Sequence, residues 1–127
     1  MTSLAMRSNP LVWLDIPVLD LDRAIQFYQQ VLDWPLDDQR PHANMAVFRH
    51  HKGIVAAALV HQLSVPDGVG PLPYLNCHHR LTLALEQVLE CGGTVEQPVH
   101  PLAPFGYRAV ILDSEGNRIA LHSMEMV

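Results

Sequence analysis

The chain carries one pattern twice, and that repeat limits the folds open to it more than any other feature. An apolar, partly β-branched run over residues 11–18, set between Pro10 and Asp20, predicts a buried strand. Leu21, Ala24, Ile25, Tyr28, Val31 and Leu32 then recur at helical spacing, with Asp20 placed to cap the first turn and Pro35 to stop continuation. Strands follow at 45–48 and 54–60, joined by a turn at Lys52-Gly53. The turn-rich stretch 64–71 has no periodicity and reads as a connector. After it come a strand at 74–77, a helical stripe of Leu81, Ala84, Leu85, Val88 and Leu89 closed by Gly92-Gly93, and strands at 94–99, 107–112 and 118–122. Even the letters repeat: Gln30-Val31-Leu32-Asp33 matches Gln87-Val88-Leu89-Glu90, and Ala46-Val47 precedes Gly53 as Ala109-Val110 precedes Gly116.

The reading is therefore α+β, in one domain over 1–127: module one at about 10–62, a linker at about 63–71 and module two at about 72–124. A sheet with a helix on one face leaves the other open. Two such sheets curved into an eight-stranded mixed arrangement enclose a cavity, with function expected on the inward strand positions. The formal charge of −5, with no Lys/Arg run, excludes a polyphosphate-binding surface and favours a cationic ligand at long range. Apolar stretches have strand length and residues 1–10 lack a signal core, so a cytoplasmic protein without a membrane role is expected. Cys77 and Cys91 form no CxxC pair and read as reduced thiols.

Leu19-Asp20-Leu21-Asp22-Arg23-Ala24-Ile25-Gln26-Phe27-Tyr28 and Val31-Leu32-Asp33-Trp34-Pro35-Leu36 resemble the vicinal oxygen chelate superfamily of glyoxalase I, bleomycin resistance proteins and extradiol dioxygenases. Pro73-Tyr74-Leu75-Asn76, Gly92-Gly93-Thr94-Val95, Pro104-Phe105-Gly106-Tyr107 and the run from Leu112 to His122 resemble its glyoxalase-like branch. The resemblance spans roughly residues 10–124 and implies two βαβββ modules, eight strands and a homodimer. It also implies a divalent metal on four inward strand positions, which map here onto Trp13, Ala57, Pro73 and Ala120. Indole, methyl and pyrrolidine groups offer a divalent ion no suitable lone pair. No cofactor is expected, and a metal would need a non-standard site; a two-residue shift in register would bring Asp15 to the first position.

Asp15 shares Trp13's strand face and reads either as a buried carboxylate suited to proton transfer or as a strand-end group bonded to backbone or arginine. His122 shares Ala120's face and reads as a base or hydrogen-bonding group at the cavity mouth, or as a sheet-edge histidine. Asp15 and His122 are the named acid/base pair. Trp13, Phe48, Phe105 and Tyr107 are candidate aromatic walls, with Ala57 and Ala120 completing the ligand-lining set. Tyr28 and Trp34 are assigned to packing, His50-His51 and His78-His79 to solvated turns, and the Asp113–Asn117 segment to a structural turn. The function expected is capture of a small, partly apolar molecule without the usual metal. The alternative is a glyoxalase-type lyase or isomerase using a non-standard metal site or Asp15.

Overall fold

The computed structural model describes residues 10–11, 13–51, 56–63 and 69–126. The expected Lys52-Gly53 turn and most of the connector lie outside them. In chain order the elements are β1 (Trp13–Val18), α1 (Leu21–Leu32), β2 (Leu36–Asp38), β3 (Met45–Phe48), β4 (Ala56–His61), β5 (Tyr74–Asn76), α2 (Leu81–Glu90), β6 (Thr94–Pro101), β7 (Tyr107–Leu112) and β8 (Arg118–Ser123). This is the βαβββ order given twice. The eight strands form two four-stranded mixed sheets, β1-β4-β3-β2 and β5-β8-β7-β6, each with one parallel pair.

Strand β2 is the element sequence periodicity does not show. Its Leu-Asp-Asp sequence has poor strand propensity, and it exists because Leu36, Asp37 and Asp38 pair in register with Phe48, Val47 and Ala46. Its exposed acids are held by ion pairs, Asp37 to Arg49 at 2.8 Å and Asp38 to Arg40 at 2.7 Å. The Asp38 carboxyl lies at about 2 because the Arg40 side chain and backbone N–H both bond to it.

Helix α1 starts at Asp20, whose carboxylate accepts the N–H of Arg23 at 3.1 Å, and ends at Asp33 in the left-handed region. Leu21, Ala24, Phe27, Tyr28 and Val31 are its buried stripe. Fully burying each larger apolar side chain stabilises by about 1.5–3 kcal/mol. The stripe packs on β3 and β4 of its own sheet and on α2 of the other module, so both modules share one core. Gly93, just after α2, lies where the modules touch. A Cβ there would stand 2.6 Å from the Leu112 carbonyl oxygen and 2.9 Å from the Phe27 ring.

Polar contacts join the modules around that core. Glu115, its side chain fully buried in the β7–β8 turn, accepts the backbone N–H groups of Leu19 and Asp20, each at 2.9 Å, and both Nε and Nη2 of Arg23 at 2.7 and 2.9 Å. Burial pushes its carboxyl up, but Arg23, the Asp20 N–H and the Ser114 hydroxyl together outweigh burial and hold it at about 2. Beside it the Tyr28 hydroxyl donates to Asp113 at 2.5 Å, and the Asn117 amide donates to the Pro17 carbonyl at 2.7 Å. Burial, and next the Asp113 charge, keep the Tyr28 phenol protonated well above its ordinary range.

Candidate functional site

Both helices lie on the core side of the sheets, so within the described residues the opposite faces carry no helix. On β1 the side chains of Leu14, Ile16 and Val18 point to the core and those of Trp13, Asp15 and Pro17 to the open face. The strand register corrects two of the four positions the resemblance implies. Trp13 pairs with Ala56 and Leu14 with Ala57, so Ala57 shares the core face with Leu14 and the open-face partner of Trp13 is Ala56. In module two Ala120 pairs with Tyr74, so Tyr74 takes the place expected for Pro73. The corrected set is Trp13, Ala56, Tyr74 and Ala120. Its only oxygen donor is a phenol already bonded to a guanidinium, so these residues do not fit a divalent ion. Among the described residues, no group of three or more His, Cys, Asp or Glu side chains is placed to hold one.

A cavity of about 690 Å³ lies at the junction of the modules and reaches Ala56, Tyr74 and Asn76 at the edge of the open faces. Leu14 and Ala57 form its floor from sheet one, Leu75 enters from sheet two, and Leu32, Trp34 and Phe48 wall it from the end of α1 and of β3. Asp33, Arg49, His50, His51, Tyr74, Asn76, His78 and Arg80 supply its polar lining. Trp34, assigned to packing from its position, is half-exposed and stands at this cavity with its indole N–H donating to the Arg49 carbonyl at 2.7 Å. The paired histidines are exposed, as expected, and His78 and His79 lie in a turn, yet three of the four border this cavity. His50 and His51 line the cavity, and His50 presents its ring edge-on to Trp13 at 5.8 Å. His78 accepts the Met124 N–H at 3.2 Å.

The ligand-lining residues named from sequence are divided by the structure. Phe48 and Ala57 line the cavity. Trp13 and Asp15 sit together on the open face of sheet one, where the indole N–H donates to the carboxylate at 2.9 Å. Asp15 is exposed, which removes the buried-carboxylate alternative of the two readings. Tyr107 pairs with Ser123 and packs against the core, so it is no wall of an open face. Phe105 is exposed in the β6–β7 connection, and its carbonyl accepts His122 Nε2–H at 2.5 Å. Asp15 and His122 belong to different sheets, and each bonds to a partner other than the other. Cys77 is buried, with its thiol pushed up to about 12 by burial, which leaves no nucleophile there.

Sequence reasoning missed Arg108. On the open face of sheet two, register sets Asn76 of β5, His122 of β8, Arg108 of β7 and His100 of β6 side by side in one cross-strand row. Arg108 donates Nε–H to His100 Nε2 at 2.9 Å and Nη1–H to the Tyr74 hydroxyl. Only alternation about Val110 hinted at this, and nothing in the sequence shows which strands flank β7.

Paired βαβββ modules sharing a helical core, with open sheet faces and a cavity at their junction, define the glyoxalase-like class of fold. The model for the Glyoxalase/Bleomycin resistance protein/Dioxygenase superfamily matches residues 10–121, and the chain belongs to that superfamily. Solved structures agree. A glyoxalase/bleomycin resistance protein/dioxygenase family enzyme from Burkholderia phytofirmans PsJN superposes with a TM-score of 0.71 at 18% identity, covering 91% of this chain and 99% of that one. Hypothetical protein SA1046 from S. aureus gives 0.66 at 21% identity, covering 88% and 95%. The fosfomycin resistance protein FosX from Listeria monocytogenes gives 0.66 at 14% identity, covering 91% and 93%. At these identities the likeness establishes the fold alone. No curated protein matches the chain. Among the described residues, no helix is long and apolar enough to cross a membrane.

Proposed function

We propose that this chain binds a small, partly apolar molecule in the cavity at the module junction, independently of a metal at the superfamily's four strand positions. The observation that carries the reading is the cavity itself: about 690 Å³, with a mainly apolar lining that includes Leu14, Leu32, Trp34, Phe48, Ala57 and Leu75 beside a smaller set of polar side chains. Sites for drug-sized ligands have this size and this balance of apolar wall to a few polar groups. Binding is favoured over catalysis because the two groups named for proton transfer are each bonded to other partners, and a reaction needs convergent ionisable groups around one reacting atom. Action as a homodimer, with a second copy closing the open faces, belongs to the same proposal.

The test is titration of the protein with an uncharged environment-sensitive naphthylamine dye, followed by displacement with a panel of neutral aromatic and aliphatic compounds. Saturable binding is expected. Ala57→Leu, which grows a side chain into the cavity, and Trp34→Ala, which removes a wall, should each weaken it by about tenfold, or about 1.4 kcal/mol. Saturable binding that both variants leave unchanged would refute the cavity as the site, and the absence of saturable binding would refute the reading as a whole.

A further inference from the structure

Every described arginine except Arg108 is paired with a carboxylate: Arg23 with Glu115, Arg40 with Asp22 and Asp38, Arg49 with Asp37, Arg80 with Asp33 and Arg118 with Glu96. Arg108 has instead a neutral phenol and an imidazole. The direction of that imidazole bond is fixed by its other side. His100 Nδ1 lies 2.9 Å from the Pro98 carbonyl, which only accepts, so Nδ1 carries the proton and Nε2 takes the Arg108 Nε–H as a lone-pair acceptor. His100 is thus neutral in this arrangement and leaves the guanidinium charge uncompensated. Nε–H goes to His100 and one Nη1–H to Tyr74, which leaves three of the five N–H donors of a guanidinium without a partner among the described residues. The Tyr74 ring lies alongside, its centroid 5.8 Å from Arg108 Cζ.

The surroundings suit a ligand. Arg108 stands on a central strand of its sheet, on the face without a helix, in the row between His122 and His100. The neighbouring row places Ala120 and Val110 beside it, both fully buried and without polar side-chain atoms, so the guanidinium sits over an apolar floor. An oxyanion arriving there meets the guanidinium fork and the Tyr74 hydroxyl. That phenol accepts from Arg108 and so has its own O–H to donate.

We propose that the open face of the second sheet is a recognition site for the oxyanion of a small molecule, a carboxylate or a phosphoryl group, bound by Arg108 with Tyr74 and positioned by His100. The formal net charge of −5 argues for a cationic ligand at long range, but this row contains no carboxylate, and local geometry decides what it holds. The site shares Tyr74 with the edge of the cavity, but Arg108 lies outside the cavity lining, so an inorganic anion tests Arg108, a neutral dye tests the apolar walls, and the two readings fail separately.

The experiment is titration of the whole protein with inorganic phosphate and, separately, with acetate at constant ionic strength, followed in NMR through the arginine Nε–H signals and, in parent and variants alike, through the backbone amide signals of β7 and β8. A saturable shift of the Arg108 signal with either anion is expected, phosphate alone indicating a phosphoryl ligand and acetate alone a carboxylate. Arg108→Met should weaken binding by about tenfold or more and Arg108→Lys by less, since a lysine keeps the charge and loses the fork. The double variant Glu96→Gln with Arg118→Met removes the neighbouring ion pair at constant net charge, and should bind within about twofold of the parent. Equal binding by Arg108→Met, an equal loss in the double variant, or no saturable shift with either anion overturns the proposal. A parent that binds neither anion and whose self-association falls in Arg108→Met would assign the residue to an interface between copies, and overturns it as well.

Discussion

Replacing Glu115 by glutamine tests how the modules are held together, because it removes one charge and alters little shape. One carboxylate oxygen accepts from Leu19, Asp20 and Arg23, and the other from Arg23 Nε at 2.7 Å and the Ser114 hydroxyl at 2.8 Å. A glutamine oxygen can replace the first. Its NH2 group then meets the Arg23 and Ser114 donors with a donor, inside a site whose side-chain exposure is 0%. The folded carboxyl sits at about 2 against an ordinary value of 4.5, which linkage converts to about 3 kcal/mol favouring the folded state at neutral pH. Arg23 is half-exposed, so solvent screening lowers this to about 2 kcal/mol. Because the folded value is the depressed one, this stability is fully present above about pH 4.5 and is lost as pH falls towards about 2. Urea unfolding at pH 7 should show Glu115→Gln destabilised by about 2–4 kcal/mol, the excess over linkage coming from the donor clash. Repeated down to pH 3, the parent should lose ground on the variant and the gap should narrow. A cost under about 0.5 kcal/mol at pH 7, or parallel acid profiles, would refute the assignment of Glu115 as the charged link between modules.

Three further outcomes follow from the same contacts. Tyr28→Phe removes the hydroxyl bonded to Asp113 while Asn117 still serves that carboxylate, so denaturant melts should show a loss of about 1–2 kcal/mol; no loss would mean the bond adds nothing. Gly93→Ala places a Cβ 2.6 Å from a backbone oxygen and 2.9 Å from Phe27, and should cost about 1–3 kcal/mol in thermal or urea unfolding, whereas a neutral result would show that α2 can shift freely. In native protein at pH 8, mass spectrometry after iodoacetamide should find Cys91 alkylated and Cys77 intact until denaturant is added, since burial pushes the Cys77 thiol to about 12; early labelling of Cys77 would contradict its burial.

Legibility in the sequence followed the range of the interactions. The α1 stripe, the Asp20 cap, the left-handed Gly92 and the Asp113–Gly116 turn depend on neighbours within a few residues, and the structure has each of them. Phe27 and Tyr28 are helix residues whose partners, Gly93 and Asp113, lie in the other half of the chain. Strand β2 was invisible because pairing with β3 makes it a strand, not its own propensity. Face assignment failed at Ala57 and Pro73 for a related reason: strand periodicity is two, so a mapping between repeats that is off by one residue moves a side chain to the opposite face.

The sequence by itself determined the duplicated βαβββ plan, the burial stripes of both helices and the superfamily, because apolar periodicity and turn chemistry are written locally. Only the tertiary structure decided where that plan can act. It set Trp34, Phe48 and Leu75 around one cavity, carried Glu115 into contact with Leu19 and Arg23, and aligned Asn76, His122, Arg108 and His100 across four strands. Those groupings join residues far apart in the chain, and they exist because strand register and helix packing, fixed by the whole core at once, bring them side by side.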